Sequence, residues 1–371
     1  MRRSRPEQLS SRDAVSALKA AAEPTRLRIL ALLAAGELNV TDLTRILGQS
    51  QPRISRHVKL LSEAGLIERF KEGSWVYFHL TQAAHPASHS NGETGNASLA
   101  RALLDFVDVN DPVLIRDRER AETLKLERQT AAQAFFAEHA AKWDEIRSLH
   151  VAETEVEAAI VAAIESRSQP NGRPVDLLVD LGTGTGRILD LLAGHYSRGL
   201  GIDVNQAMLA FARANLVAAG LTGGPSGRST AQVRHGDLYH LSIADGAAGA
   251  VIMHQVLHFL SEPQAAVREA ARILAPGGRL LIVDFAPHNL DFLRETYAHE
   301  RLGFPAATVE QWLRDAGLHP AKIQNLTPPT ATNTASTVEN QLTVSLWLAT
   351  RPPLQANLGP DAAPHSMETT L

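Results

Sequence analysis

Val175-Asp-Leu-Leu-Val-Asp-Leu-Gly-Thr-Gly-Thr-Gly186 decides the fold of the larger part of this chain. Val175 to Asp180 is a short apolar run of the kind that makes a buried parallel strand. Gly182, Gly184 and Gly186 follow at a strand-to-helix turn, where the missing side chains let a ligand lie against the backbone. Ile188, Leu191 and Leu192 then continue as an apolar helix face. A second strand, Gly199-Leu-Gly-Ile-Asp203, ends in an acid 17 residues after Gly186, where a carboxylate can accept hydrogen bonds from two ribose hydroxyls. A third acid, Asp237, follows Gly236. The strand Ala250–Met253, a helix over about Glu262–Ile273 and the Leu274–Gly278 turn into Arg279–Asp284 complete the alternation. This pattern predicts an α/β, doubly wound, Rossmann-like sheet.

The loop also separates ligand classes. Dinucleotide sites favour Gly-x-Gly-x-x-Gly with the pyrophosphate at a helix N-terminus, whereas this loop is Gly-x-Gly-x-Gly with Asp180 two residues before it. Asp180 would repel a pyrophosphate and suits a cationic ligand.

Ahead of residue 81 the order of elements is different. Val15, Leu18 and Ala22 recur at helical spacing, and Pro24-Thr25 opens a second helix with Leu27, Leu30 and Leu33 on one side, ended by Gly36. A short helix reaches Leu47, Gly48 turns the chain, and Ser50 stands as N-cap of a helix to about Ala64. Ile54, Val58 and Leu61 are spaced for the core of that helix. Gln51, Arg53, Ser55, Arg56 and Lys59 therefore point outward, as groove and phosphate candidates. His57, beside core positions, reads as a packed or capping histidine. Leu66–Phe70 and Trp75–His79 flank Lys71-Glu-Gly-Ser74, a hairpin whose basic rim, with Lys71, can lie along a DNA backbone as a wing. This half reads as an N-terminal winged helix-turn-helix domain.

Charge follows the same division. Residues 1–80 hold 13 Lys and Arg against 8 Asp and Glu, and the remaining residues hold 23 against 32. The front end is the part suited to phosphate. The absence of cysteine removes disulfides, thiolate metal sites and cysteine nucleophiles, and no metal ligand set is expected. No stretch approaches the roughly 18 to 20 apolar residues of a membrane span, so the expectation is a cytoplasmic protein with no membrane partner.

Two resemblances follow. Glu23-Pro-Thr-Arg-Leu-Arg-Ile-Leu30 and the run from Ser50 to Ile67 make residues 13–80 resemble an ArsR-family winged helix. Metal-sensing members carry a Cys-x-Cys pair where this chain has Asn39 and Thr41, so soft-metal or arsenite sensing is disfavoured. Residues 135–350 resemble a class I S-adenosylmethionine-dependent methyltransferase. That resemblance implies that Gly182, Gly184 and Gly186 line methionine and ribose, Asp203 holds the ribose hydroxyls and Asp237 reads the adenine amine. It places Asp180 near the ligand's ammonium group, and Met208 or Leu238 against adenine. The cofactor expected is S-adenosylmethionine or its product S-adenosylhomocysteine.

The expected organisation is 1–80 winged helix, 81–98 linker, 99–134 helical connector with a possible dimer contact, 135–350 methyltransferase-type domain and 351–371 disordered tail. Leu99 to about Ser166 has a helical pattern, and Phe135-Phe136 to Trp143 is the expected docking face of that stretch, against the next domain or a second subunit. His254 and His258, after the fourth strand, are candidate bases, with Gln255 a candidate positioning group and Asp284, Tyr297, His299 and Arg301 around the acceptor side. Two functions stay open. One is a regulator binding an operator in double-stranded DNA as a homodimer and sensing methyl-cycle status through its ligand. The other is an active methyltransferase of a small-molecule acceptor whose winged helix controls its own expression. Arsenic methylation is disfavoured, because that family uses cysteines.

Overall fold

The computed structural model describes residues 9–72, 75–81, 95–143, 153–165, 174–222, 229–327 and 342–353. The N-terminal unit runs α1 (Ser11–Ala21), α2 (Pro24–Ala35), β1 (Leu38–Asn39), α3 (Val40–Leu47), α4 (Gln51–Glu63), β2 (Ile67–Glu72) and β3 (Trp75–Leu80). Pro24 opens α2 and the Glu23 carboxylate caps it, accepting from the Arg26 amide at 2.9 Å. Asn39 and Asp42 form a capping box that starts α3, so the position where metal sensors carry a thiolate is occupied by a helix cap. Gly48, at φ 64°, ends α3 and turns the chain into α4. Ser50 precedes α4, but its side chain makes no capping bond. Strand order β1-β3-β2, antiparallel throughout, forms the wing. Its tip, residues 73–74, lies outside the described residues.

Ile29, Leu30, Leu33, Leu43, Ile46, Ile54, Val58, Leu61 and Phe78 make the core of this unit. On α1 the buried residues are Ala17 and Ala21, while Val15 and Leu18 are 49% and 44% exposed. The stripe expected from Val15, Leu18 and Ala22 therefore faces outward, and the small alanines allow α1 its close approach to the core.

Two helices follow, α5 (Gly95–Asp105) and α6 (Pro112–His139). The first begins inside the stretch read as a linker, whose residues 82–94 lie outside the described residues. Ala100 and Leu124 complete the winged-helix core, so that unit takes in part of both helices. Asp111 caps α6 through the Val113 and Leu114 amides, and Pro112 fills its first position. The helix is about 42 Å long at 1.5 Å per residue. It is fastened at one end by Arg28 to Asp117 (2.5 and 2.6 Å) and by Arg120 to the Ile46 carbonyl. Farther along it is fastened by Lys125 to Glu262 and by Gln133 to Asn205.

The second unit is a seven-stranded sheet of β4 (Val175–Leu181), β5 (Tyr196–Asp203), β6 (Thr230–His235), β7 (Ala248–His254), β8 (Leu274–Phe285), β9 (His319–Leu326) and β10 (Val344–Thr350). The order is β6-β5-β4-β7-β8-β10-β9, parallel except for β10, which is antiparallel to both of its neighbours. Alternate side chains of each strand enter two different cores. Val179, Leu181, Leu200 and Ile202 pack with the helices Pro263–Ile273 and Ala306–Asp315. Leu178, Ile252, Leu281 and Val283 pack with Glu153–Glu165 and Gln206–Ala218. Helices on both faces of a mainly parallel sheet make the doubly wound fold. Chain order reverses at β4, between β5 and β7, which puts a ligand crevice at the carboxyl ends of these strands. Among the described residues no helix is long and apolar enough to cross a membrane. The tail beyond residue 353 lies outside the described residues, whereas Arg351 is tied to the Ala271 and Arg272 carbonyls.

Candidate functional site

The glycine loop leaves β4 at Leu181 and is pinned across the sheet by the Gly182 and Thr183 amides, which donate to the Ile202 carbonyl at 2.8 and 3.0 Å. Gly182 has φ 75°, and a Cβ there would stand 2.3 Å from Val256 Cγ2. Gly184 has φ 52° with more room, since its Cβ would lie 3.7 Å from Trp143 Nε1. Its amide donates to Asp203 Oδ2 at 2.9 Å, and the Asn205 amide to Oδ1 at 2.8 Å. Burial pushes the Asp203 carboxyl up, opposed by amide donors from Asn205, Gly184 and Val204. Asp180 is buried beneath the loop and accepts from Thr183 Oγ1 at 2.6 Å, so it fixes the loop. Asp237 is exposed at the end of β6 and accepts from the Tyr239 amide, while Leu238 and Met208 are buried in the core below.

On the other side of the crevice His254 ends β7, buried. Gln255 holds the left-handed φ of 49°, which a non-glycine residue adopts at a cost of about 1–3 kcal/mol. His258 is buried, with Nδ1 2.7 Å from Asp284 Oδ1. Asp284 is fully buried and also accepts from the Leu257, His258 and Phe285 amides. A neutral ring that donates Nδ1–H to this carboxylate carries its lone pair on Nε2. Rings surround this pair. Phe136 meets Phe259 and Trp143 edge-on at 4.7 and 5.2 Å, His299 lies 4.2 Å from His258, and His299 stacks on Phe285 at 5.8 Å. The Phe135–Trp143 segment thus docks over the carboxyl ends of the strands, where Phe135 also meets Tyr297.

The winged-helix face is set by helix period. Gln51, Arg53, Ser55, Arg56 and Lys59 of α4 are all exposed, as is Lys71 on β2. His57 is buried 3.6 Å from Glu23, and burial pushes its imidazole down. Among the described residues no group of three or more His, Asp or Glu side chains is placed to hold a metal ion.

Residues 23–69 match the family model of bacterial regulatory proteins of the arsR family, and residues 179–282 match a methyltransferase domain. The chain belongs to the arsR family and carries a methyltransferase domain. The ArsR-type half is 48% identical over 68 residues to the arsenical resistance operon repressor of Escherichia coli K12, covering 18% of this chain and 58% of the repressor. It is 40% identical over 68 residues to an HTH-type transcriptional regulator of Methanocaldococcus jannaschii, covering 18% of this chain and 76% of that protein. The methyltransferase half is 34% identical over 126 residues to an arsenite methyltransferase of Aquipseudomonas alcaligenes, covering 32% of this chain and 36% of that enzyme. This ArsR-type chain spans little more than a third of that enzyme and under two thirds of the repressor.

An adenosyl ligand fits its methyltransferase domain. The Gly184 backbone lies beside the Trp143 indole with no side chain between them, and a carboxylate with lone pairs to spare stands at the end of β5, bonded to that same loop. Sequence reasoning named His258 and Asp284 separately and missed their pairing. It also missed Trp143, Phe136 and Phe259 as walls of this site. The aromatic spacing in α6 was visible, but not what it would cover.

Proposed function

We propose that this chain is a transcriptional regulator whose methyltransferase-fold domain binds S-adenosylmethionine or S-adenosylhomocysteine and reports methyl-cycle status to the winged helix. The observation that carries the reading is the junction between the units. Buried Arg301 donates to Glu37 at 2.5 Å, and Arg128 of α6 pairs with Asp42 of the winged helix and Glu300 of the methyltransferase domain. An enzyme merely tethered to a DNA module needs a linker, not ion pairs across a junction. In this reading the backbone at Gly182, Gly184 and Gly186 lies along methionine and ribose, Asp203 holds the ribose hydroxyls and Asp180 balances the cationic end. Asp237 and Leu238 serve adenine. Gln51, Arg53, Ser55, Arg56 and Lys59 enter the major groove of an operator and Lys71 meets its backbone. The working form is a cytoplasmic homodimer reading half-sites roughly 34 Å apart. Exposed Val15, Leu18 and Phe106 support that pairing.

A second reading, catalysis, is favoured by one observation, the buried His258–Asp284 pair. The cofactor supplies a methyl group on a sulfonium when bound. His258 Nε2 takes the acceptor's proton, Asp284 holds the ring and Gln255 positions the acceptor, with His254 an alternative base. Arsenite does not enter either reading as ligand or acceptor, although relatives are named for arsenic. As(III) is soft and thiophilic, and this chain has no cysteine.

The test is affinity for the chain's own upstream DNA at one fixed salt concentration, with S-adenosylmethionine and S-adenosylhomocysteine titrated separately. A shift of about tenfold with either supports sensing, about 1.4 kcal/mol of coupling. No shift, with binding of both ligands demonstrated, rejects it.

A further inference from the structure

One short segment touches both the ring-lined site and the wing. The helix Phe292–Tyr297 and the turn after it carry Arg294, His299, Glu300 and Arg301. On the site side, His299 lies against His258, Phe259 and Phe285, and the Glu300 and Arg301 amides donate to the His258 carbonyl at 2.9 and 3.0 Å. On the wing side, Arg294 donates to the Tyr77 hydroxyl at 2.6 Å, with its guanidinium 5.5 Å from the Tyr77 ring and 5.9 Å from that of Trp75. Arg301 lies 5.3 Å from the same Tyr77 ring while binding Glu37. Glu37 and Tyr77 belong to one place in the winged helix. Glu37 immediately precedes β1, Tyr77 pairs with Asn39 across β1–β3, and Asn39 caps α3. Arg301 therefore grips the root of the wing together with the start of the helix-turn-helix.

We propose that Arg294–Arg301 is the element through which occupancy of the ligand site sets the wing, with Arg301–Glu37 and Arg294–Tyr77 together as its latch, neither sufficient without the other. This rests on the sensing reading above. The chain of contact is continuous. The glycine loop abuts Val256 and Trp143, Trp143 packs on Phe259, Phe259 packs on His299, and the two residues after His299 hold Arg128 and Glu37. A ligand that shifts Trp143 or Phe259 cannot leave His299 in place, because the interior is close-packed and its two neighbours are hydrogen-bonded to His258. The bistable element is the wing root, which has Arg301 either engaged or released.

The experiment uses the full chain, S-adenosylhomocysteine as probe, and a duplex of the chain's own upstream DNA. Wild type, Glu37→Gln and Tyr77→Phe are compared for ligand affinity by calorimetry and for DNA affinity with and without the probe. The expected result is unchanged probe affinity in both variants, with a ligand-linked DNA shift falling from about tenfold to under about twofold. A wild-type shift in both variants overturns the latch and leaves sensing intact. No shift in wild type with the probe bound, nor with S-adenosylmethionine bound in its place, overturns sensing and the latch together. If Glu37→Gln abolishes DNA binding outright, Tyr77→Phe decides alone, because it keeps the ring that faces both guanidinium groups and removes the hydroxyl to which Arg294 donates.

Discussion

Replacing Gly182 by alanine places a methyl group 2.3 Å from Val256 Cγ2 and 2.8 Å from Val256 Cβ, in a backbone with φ 75°. Left-handed backbone costs an L-residue about 1–2 kcal/mol. Forcing Val256 aside adds about 1–3 kcal/mol of overpacking. The sum, about 2–5 kcal/mol, corresponds to roughly 5–15 °C in the melting of a domain of this size. Gly184→Ala carries the same backbone strain without the clash, since its nearest neighbour is 3.7 Å away. It therefore costs only about 1–2 kcal/mol of stability, but its methyl narrows the gap between the loop and the Trp143 indole, beside which the ligand is expected. Thermal unfolding of the two variants, paired with calorimetric titration of S-adenosylhomocysteine, separates the effects. Gly182→Ala should melt several degrees below Gly184→Ala, and Gly184→Ala should lose at least about tenfold in ligand affinity, some 1.4 kcal/mol. Equal melting temperatures would refute the steric argument, and wild-type ligand affinity in Gly184→Ala would refute the placement of the ligand on the loop.

Asp203→Asn should cost about tenfold or more in S-adenosylhomocysteine affinity by calorimetry while leaving ligand-free DNA affinity unchanged; unaltered ligand binding would remove Asp203 from the site. The double variant Arg53→Gln, Arg56→Gln should flatten the slope of log affinity against log salt by about 2, at about 0.9 per phosphate contact. An unchanged slope takes α4 off the DNA. Burial, with help from His258 and Arg294 and against Asp284 and Asp291, pushes His288 down to about 4. Because its folded value lies below the usual 6.5, its contribution is present above pH 6.5 and is lost as pH falls toward 4, by at most about 3 kcal/mol. Urea unfolding at pH 7 and pH 5 should show this loss in wild type and less of it in His288→Gln; parallel losses would contradict the assignment.

What the sequence made legible was local. Strand, glycine loop and helix lie within about twenty residues, and the outward set on α4 follows from helix period with Ile54, Val58 and Leu61 inward. What stayed hidden depends on register and distance along the chain. His258 and Asp284 meet because β7 and β8 are parallel neighbours, with His254 opposite Val283. Arg301 and Glu37 are 264 positions apart, and no periodicity connects them. The α1 stripe misled for a different reason. Val15 and Leu18 are the larger apolar residues, but close helix packing selected Ala17 and Ala21.

The central claim is that DNA and cofactor sites are energetically one system, and linkage makes it measurable from the ligand's side. The deciding measurement is the calorimetric Kd of S-adenosylhomocysteine for the chain alone and for the chain saturated with its upstream DNA, at equal salt. The account predicts that the two values differ by the factor by which the ligand shifts DNA affinity, about tenfold. Identical values, with both complexes formed, would contradict it.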